Sequence, residues 1–340
     1  MLKKLAEKKM KDKTLKIEEM FLSPYAKKSK DTIGRLRAEE PCVMRTDFQR
    51  DRDRIIHCKA FRRLKNKTQV FFSPEGDHYR TRLTHTLGVS QVARGIARAL
   101  SLNEDLTEAI ALGHDLGHTP FGHSGERILN KLNPNGFRHN EQSGRVVDFL
   151  ENDGRGLNLT REVVDGIINH KMGTSPMTLE GRAVSLADRI AYINHDIDDA
   201  IESGFIKRED LPKEAIALLG DTSSKRINTM LSSILRNCDG KNKVEMETDV
   251  AEATMTLRKF LFDNVYNDDR IMSEEKRADK MLTALYEYYQ KTPSALPEFH
   301  KNRLDSEEEA VILCDYISSM SDGYVVRKFR EIFIPKNWKL

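Results

Sequence analysis

Apolar residues recur at intervals of three and four along most of this chain, with polar residues between them. This spacing is typical of amphipathic helices, whereas a sheet would need runs of alternating apolar and polar residues, and none is long enough. Asn103 is an expected N-cap, and Gly204 follows the end of a long helix. The pattern predicts an all-α fold, with helical segments over residues 2–20, 47–64, 80–100, 104–113, 123–132, 139–151, 160–171, 180–203, 211–219, 224–238, 246–267, 274–291 and 305–332.

One stretch departs from this pattern. Residues 69–72 (QVFF) predict a short extended piece, and the SPEGD sequence at residues 73–77 predicts a turn that closes it. The chain has neither a fixed-period repeat nor a flexible linker. We therefore expect a basic N-terminal helix and linker (1–44), a central helical core (45–205) and a helical C-terminal extension packed on that core (206–340).

The composition narrows the class of protein. Hydrophobic residues make up 39% and charged residues 32% of the 340 positions, which is typical of a globular protein with a charged surface. No apolar run approaches membrane-spanning length, and the N-terminus lacks a signal-peptide core, so we expect a cytoplasmic protein without a membrane partner. The cysteines form no C-x-x-C pair, which argues against a disulfide framework or a thiolate zinc site; they are Cys42, Cys58, Cys238 and Cys314.

Positive charge is concentrated at the N-terminus. Residues 1–30 contain ten lysines and four acidic residues, a net charge of +6, while the whole chain carries only +3. Such a segment could bind a polyanion, so weak binding of single-stranded nucleic acid is one hypothesis. The alternative is a solvated helix that is frayed at its end.

Histidines are concentrated in the central third of the chain. Eight of the ten lie within residues 78–195, and a gathering of this kind indicates a metal or acid–base centre. The densest stretch, HDLGHTPFGHSGE at residues 114–126, holds three imidazoles and two carboxylates. Neighbours on a helix do not face one another, so His114 and Asp115 reach one point only off a helix end or through a shared ion. Imidazole and carboxylate ligands together favour a first-row divalent metal.

These residues carry a family resemblance. His85, the His114-Asp115 pair and Asp188 have the order and separation of the H…HD…D signature of HD-domain metallophosphohydrolases. The 114–126 stretch also resembles the deoxyguanosine triphosphate triphosphohydrolase-like branch of that family. Further strings similar to this branch are KTQVF at 67–71, RTRLTHTLGV at 80–89, ADRIAY at 187–192 and, in the C-terminal extension, DYISSMSD at 315–322. The resemblance is strongest over residues 45–200, and it makes residues 45–205 the expected HD core.

The resemblance implies a metal-dependent reaction on a nucleotide. His85, His114, Asp115 and Asp188 would hold one divalent ion per subunit, with Mg²⁺, Mn²⁺ and Fe²⁺ all compatible with such ligands. A cation there would lower the repulsion that a water nucleophile meets at the α-phosphorus. The expected products are a deoxynucleoside and intact inorganic triphosphate.

The family pattern also supplies acid–base residues. Because a nucleoside alkoxide is a poor leaving group, a general acid is needed beside the metal, and His123 is the first candidate. Glu126 would orient its imidazole if residues 123–126 form a helical turn, and His139 resembles a further histidine of this relay. His118 would contact the α-phosphate or share in proton transfer. The structural alternatives are that His118 only braces the loop around Pro120 and that His139 only caps its helix.

Substrate-binding residues follow from the same resemblance. Arg82 and Arg189 would bind phosphates, Gln69 and Asp196 would read the sugar 3′-hydroxyl, and Tyr192 would fill the space of a ribose 2′-hydroxyl. The alternatives are a surface ion pair for Arg82 and an ordinary core ring for Tyr192. Three histidines match no role and are taken as structural: His78, His170 and His195.

Relatives in this family form oligomers and bind regulatory dNTPs at subunit contacts, so the resemblance implies a homo-oligomer (a dimer, tetramer or hexamer) with such a ligand. Two other classes of function remain open. One is another HD-type hydrolase, such as a nucleoside monophosphatase or a cyclic-nucleotide or alarmone hydrolase. The other is a non-catalytic protein that binds nucleotides or nucleic acid.

Overall fold

The computed structural model describes residues 2–69 and 80–335, with side chains from residue 10 onward. Within these residues sixteen α-helices form the fold, and extended backbone pairs only in two isolated bridges, so the predicted all-α class is confirmed. The helices are α1 Leu2–Phe21, α2 Asp47–His57, α3 Lys59–Arg63, α4 Arg82–Ala99, α5 Glu104–Gly113, α6 Gly122–Leu132, α7 His139–Arg145, α8 Arg161–Ile168, α9 Leu179–Glu202, α10 Lys213–Leu219, α11 Ser223–Cys238, α12 Thr248–Leu261, α13 Asp269–Lys291, α14 Glu298–Lys301, α15 Glu309–Ser318 and α16 Asp322–Phe333.

Two predicted helices are wrong in their continuity. The helix expected over residues 47–64 is broken at Cys58, whose backbone is extended, because the buried carboxylate of Glu151 accepts the amides of Lys59 (3.0 Å) and Ala60 (2.7 Å) and starts α3 afresh. The segment expected over 305–332 is divided, and the Ser321 side chain caps the start of α16. The extended piece and turn expected over residues 70–77, and His78, lie outside the described residues.

Two hydrophobic cores hold the helices together. The larger one joins α2, α4, α5, α8 and α9 with the helices α10–α12, and the smaller one joins α6, α13, α15 and α16. α4 and α9 approach closely at Gly88, where a Cβ atom would lie 2.7 Å from the ring of His195. This close packing places Nε2 of His85 in α4 within 3.0 Å of Oδ1 of Asp188 in α9.

Buried glutamates fasten the segment after α1 to the larger core. Glu180 accepts the amides of Lys27 (2.9 Å) and Asn103 (3.0 Å), and Glu162 accepts the amide of Ile33 (2.7 Å). Glu18 likewise accepts the amide of Ser29 at 2.7 Å. Carboxylates thus satisfy backbone donors that would otherwise be buried without a partner.

One of these carboxylates makes stability depend on pH. Burial raises the pKa of Glu180 to about 7, although the amides of Asn103 and Lys27 oppose this. A carboxyl with a raised folded-state pKa favours folding below its unfolded pKa, 4.5, and loses that contribution as pH rises through 7. Relative to Glu180→Gln, the native protein should therefore lose about 2 kcal/mol of unfolding free energy between pH 5 and pH 8. Urea unfolding of both proteins at the two pH values measures this difference. Glu252→Gln, at an exposed position, is the control and should show the same pH dependence as the native protein. If Glu180→Gln also lost as much unfolding free energy between pH 5 and pH 8 as the native protein does, the account would be contradicted.

Among the described helices none has the combination of length and apolar character needed to span a bilayer.

Candidate metal centre

Three helices bring four potential metal ligands to one point. His85 lies in the first turns of α4, which begins with a capping box formed by Thr81 and Thr84. His114 and Asp115 follow the last residue of α5, where two tight turns reverse the chain. Asp188 lies near the middle of α9. The pair at the end of α5 can share one target because it has left the helix, as the sequence predicted.

The distances between these side chains suit a shared cation. One ligand atom from each of His85, His114 and Asp115 lies within 4.8 Å of the others. Oδ1 of Asp188 lies 3.0 Å from Nε2 of His85 and 3.8 Å from Nε2 of His114. Nε2 of His114 also lies 3.6 Å from Oδ2 of Asp115. All four predicted ligands are therefore brought together.

The hydrogen bonds of His114 leave it ready to bind a metal. Its Nδ1 lies 2.6 Å from the carbonyl oxygen of Ala111, so this nitrogen carries the proton and Nε2 keeps its lone pair. Nε2 is buried and has no hydrogen-bond partner within the described residues. A buried acceptor without a donor is costly, and a cation would satisfy it. This donor set fits a divalent ion of the borderline class.

Neighbouring imidazoles and the Arg82 guanidinium keep the two carboxylates, Asp115 and Asp188, ionised. Burial opposes ionisation of Asp115, but His114 and Arg82 together hold its pKa well below the usual value. Burial likewise opposes ionisation of Asp188, but the hydrogen bond from His85 and the nearby imidazole of His114 lower its pKa. Both side chains are thus anionic at neutral pH and could bind a cation.

A second cluster lies beside the first. Oε2 of Glu126 is 2.9 Å from Nδ1 of His139 and 3.4 Å from Nδ1 of His123, and Oε1 accepts the backbone amide of His139 at 3.0 Å. The predicted turn over residues 123–126 is present, because α6 begins at Gly122. Burial disfavours a charge on Glu126, but the hydrogen bonds from His123 and His139 lower its pKa far below normal. Glu126 is therefore ionised and accepts hydrogen bonds from two imidazoles, those of His123 and His139.

His118 joins this cluster through its ring. It stacks on His139 with ring centroids 4.6 Å apart and lies 5.3 Å from His123. The side chain is buried, and neither ring nitrogen has a hydrogen-bond partner in the part of the chain that the structure describes. Burial, with the charges of Arg82 and His139, lowers the pKa of His118 well below normal. A neutral imidazole with free polar atoms is available to a ligand.

His170, which the sequence left without a role, lies inside the site. Its ring centroid is 5.0 Å from that of His114, and its Nε2 is 3.3 Å from Nε2 of His139. Nδ1 of His170 faces the carbonyl of Ile167 at 2.7 Å, so the two facing Nε2 atoms need a shared proton. Burial and the neighbouring imidazole of His114 lower the pKa of His170 to about 4. The ring of His195 likewise lies 6.0 Å from that of His85.

Arg82 and Gln69 border the metal ligands. The Arg82 guanidinium donates to Oδ2 of Asp115 (2.7 Å) and to the carbonyl oxygen of Gln69 (3.3 Å). Arg82 and Asp115 are both buried, so their ion pair is not a surface one. Oε1 of Gln69 is buried without a partner among the described atoms.

Tyr192 and Asp196 extend the site along α9, one and two turns beyond Asp188. The Tyr192 hydroxyl accepts a hydrogen bond from Nε of Arg258 at 2.8 Å, and the Tyr266 hydroxyl donates to Asp196. Burial raises the pKa of Asp196 to about 7, although the hydrogen bond from Tyr266 opposes the shift. The sequence did not single out Arg258 or Tyr266, because nothing in the helical spacing shows which helix packs on α9.

Arg189 is placed differently from the other predicted substrate residues. It is half-buried, has no ion-pair partner among the described residues, and lines a cavity of about 810 Å³ between α9 and the start of α12. Arg182 and Met246 also line that cavity. The structure thus groups Gln69, Arg82, Tyr192 and Asp196 around the histidine clusters and turns Arg189 toward a neighbouring groove.

Comparisons with known proteins agree with this geometry. The HD domain family matches residues 82–193, and the phosphohydrolase-associated domain matches residues 244–331. The chain is 57% identical, over 97% of its length and 97% of the relative, to a deoxyguanosinetriphosphate triphosphohydrolase-like protein of Caldanaerobacter subterraneus subsp. tengcongensis. It is 49% identical to a protein of the same description from Clostridium perfringens, over 96% of this chain and 98% of that protein.

The fold also resembles a solved structure. A phosphohydrolase from Bacteroides thetaiotaomicron superposes with a TM-score of 0.52 at 16% identity, over 83% of this chain and 69% of that one. At this identity the likeness concerns the arrangement of helices alone.

Proposed function

This chain belongs to the HD-domain family of deoxyguanosinetriphosphate triphosphohydrolase-like proteins, and we propose that it hydrolyses deoxynucleoside triphosphates to a deoxynucleoside and inorganic triphosphate. One observation carries the proposal. The four converging metal ligands lie next to a buried imidazole, His118, whose two ring nitrogens both lack a partner among the described residues. A cation site beside such polar atoms is suited to a phosphate ester, because the phosphate oxygens can bind the cation and accept a hydrogen bond from the imidazole.

The metal ligands in this proposal are His85, His114, Asp115 and Asp188. A divalent ion held by them would offset negative charge on the phosphate as water attacks the α-phosphorus. Arg82 keeps Asp115 oriented through the 2.7 Å ion pair and presents its remaining donors to a phosphate oxygen. His118 donates a hydrogen bond to the α-phosphate.

His123 protonates the leaving 5′-oxygen. Its side chain is 67% exposed, so it can reach a bound ligand, while Glu126 fixes its ring from the other side. His139 shares the same carboxylate and completes the relay. The chemistry is that of a general acid oriented by an anion.

The sugar pocket lies between α9 and α12. Tyr192, held by Arg258, occupies the place where a ribose 2′-hydroxyl would be accommodated, and this favours deoxynucleotides. Gln69 and Asp196 each keep a buried oxygen without a partner in the described chain, and these two atoms read the 3′-hydroxyl. Arg189 binds the distal phosphates from the adjoining groove.

A product assay tests the proposal. The metal-loaded protein is incubated with each dNTP and with GTP, alone and with a second dNTP as a candidate activator. Chromatography should show a deoxynucleoside and intact triphosphate in a one-to-one ratio, with GTP spared. Phosphate released one unit at a time, or hydrolysis of monophosphates or cyclic nucleotides instead, would reject the proposal in favour of another HD-type hydrolase. Absence of turnover with every divalent metal would favour a binding protein.

A further inference from the structure

The C-terminal extension reaches the turn that carries the proposed catalytic residues. Asp322, the first residue of α16, accepts the backbone amide of Thr68 through Oδ2 at 2.8 Å and also accepts the Thr68 hydroxyl. Its other oxygen, Oδ1, accepts the amide of Phe121 at 3.0 Å. One carboxylate therefore joins the segment before α4 to the turn before α6, and both segments border the candidate metal centre.

Lys67 makes a second connection at the same place. Its ammonium group donates to the carbonyl oxygen of His118 and, at 2.8 Å, to that of Ser318 in α15. Lys67 is 2% exposed and forms no ion pair with any residue that the structure describes. Burying an ammonium without a counter-ion is costly, so its two carbonyl contacts are the compensation that the fold provides.

The turn held by these two side chains is conformationally demanding. Phe121 has φ = +60°, which a bulky L-residue adopts at a cost of about 1–2 kcal/mol, and its ring is buried in the smaller, C-terminal core. The next residue, Gly122, has φ = +58°, and a Cβ atom there would lie 3.1 Å from the carbonyl oxygen of Gln69. α6 starts at this point, and His123 and Glu126 are its second and fifth residues. The direction of α6 is thus set by the turn.

We propose that Asp322 and Lys67 are positioning residues that hold residues 118–122 and so aim His118, His123 and Glu126 at the substrate, which makes the C-terminal extension part of the catalytic apparatus. The inference rests on the proposed hydrolysis for its kinetic consequence. Neither side chain forms a hydrogen bond or an ion pair with the four proposed metal ligands, so we expect metal content to stay close to that of the parent protein when either is replaced. Misplacement of a catalytic group by about 1 Å can cost about 100-fold in rate, so loss of one contact should lower kcat by about ten-fold or more.

The test uses Asp322→Asn, which keeps the shape but replaces one acceptor oxygen with a donor, and Lys67→Met, which keeps the stem. Asp305→Asn is the matched control, because Asp305 is exposed in the same extension and has no partner among the described residues. Asp322→Asn and Lys67→Met should each lower kcat, while KM and metal content stay close to those of the parent protein. In both of these variants the alkaline limb of the pH–rate profile should move, and in Asp305→Asn it should not. Asp322→Glu should restore part of kcat. Parent-like kcat and pH profile in Asp322→Asn, or a parallel loss of metal and folding, would overturn the proposal.

A second measurement separates this inference from the proposed function. In ¹H–¹⁵N spectra of the full chain with labelled histidine, Asp322→Asn should shift the ring signals of His118, His123 and His139 and leave those of His85 and His114 in place. Superimposable spectra would overturn the inference whatever the activity. If the parent protein releases no triphosphate while these signals shift, the proposed function fails and the positioning role stands.

Discussion

Replacing Asp188 with asparagine should lower kcat/KM for dNTP hydrolysis by about 10³-fold or more, the rate equivalent of several kcal/mol of lost metal-dependent stabilisation. Asp188 supplies one of two carboxylates at the centre, and its Oδ1 lies 3.0 Å from His85 and 3.8 Å from His114. An amide has the same shape but no charge, so it should bind a divalent ion more weakly than the carboxylate does at this position. Steady-state kinetics with saturating metal measures the effect.

Asp198→Asn is the control for this variant. Asp198 lies on the same helix, ten residues further along. Its carboxylate forms an ion pair with the guanidinium of Arg226, at a distance of 3.2 Å. Its replacement should leave kcat/KM within a factor of about two, since it removes one ion pair at a partly exposed position. Equal activity of Asp188→Asn and the parent protein would mean that this carboxylate does not hold the catalytic ion.

Glu126→Gln should lower kcat by about 10²- to 10³-fold, in the range of lost general acid–base assistance. Because its pKa is far below normal, Glu126 stays ionised throughout the range of an activity assay. The charge faces two imidazoles, those of His139 at 2.9 Å and His123 at 3.4 Å, and glutamine removes that charge while keeping the shape. The general acid must be protonated, so the alkaline limb of the pH–rate profile should move to lower pH in the variant. A pH series of kcat for both proteins measures the two effects.

Glu141→Gln provides the comparison. Glu141 lies on α7, two residues from His139. Its side chain is exposed and forms a long ion pair, 3.8 Å, with the side chain of Arg138. It should keep the parent profile. A Glu126→Gln variant with an unmoved alkaline limb would remove the carboxylate from the acid–base relay and leave it a structural role beside His139.

The local pattern of the sequence predicted most of the helices, and the family resemblance selected the four proposed metal ligands that the structure brings together. Asn103 does cap α5, with its side chain accepting the amides of Asp105 and Leu106, and α9 ends just before Gly204, because these signals are local. Continuity failed at Cys58, where the cause is Glu151, almost a hundred residues away. Side-chain contacts across such distances leave no mark on helical periodicity.

The same limit applies to the site. His114 and Asp115 could be paired from their position after a helix, and Glu126 from its spacing to His123. His170 could not be assigned to the site from the sequence. A single histidine just after a helix is usually structural, and only the packing of α8 brings it beside His114. Arg258, Tyr266 and Asp322 reach the site from the C-terminal third, and their contacts depend on tertiary packing of α12 and α16.

Metal content per chain tests the central claim most directly. After loading with Mn²⁺ and removal of free ion, the parent protein should retain about one ion per chain, measured by elemental mass spectrometry. The His195→Ala variant should retain the same amount, although the His195 ring lies 6.0 Å from that of His85. Asp115→Ala should retain almost none at the same free-ion concentration while remaining folded by circular dichroism. A full equivalent in Asp115→Ala, or none in the parent protein under any divalent ion, would contradict the account.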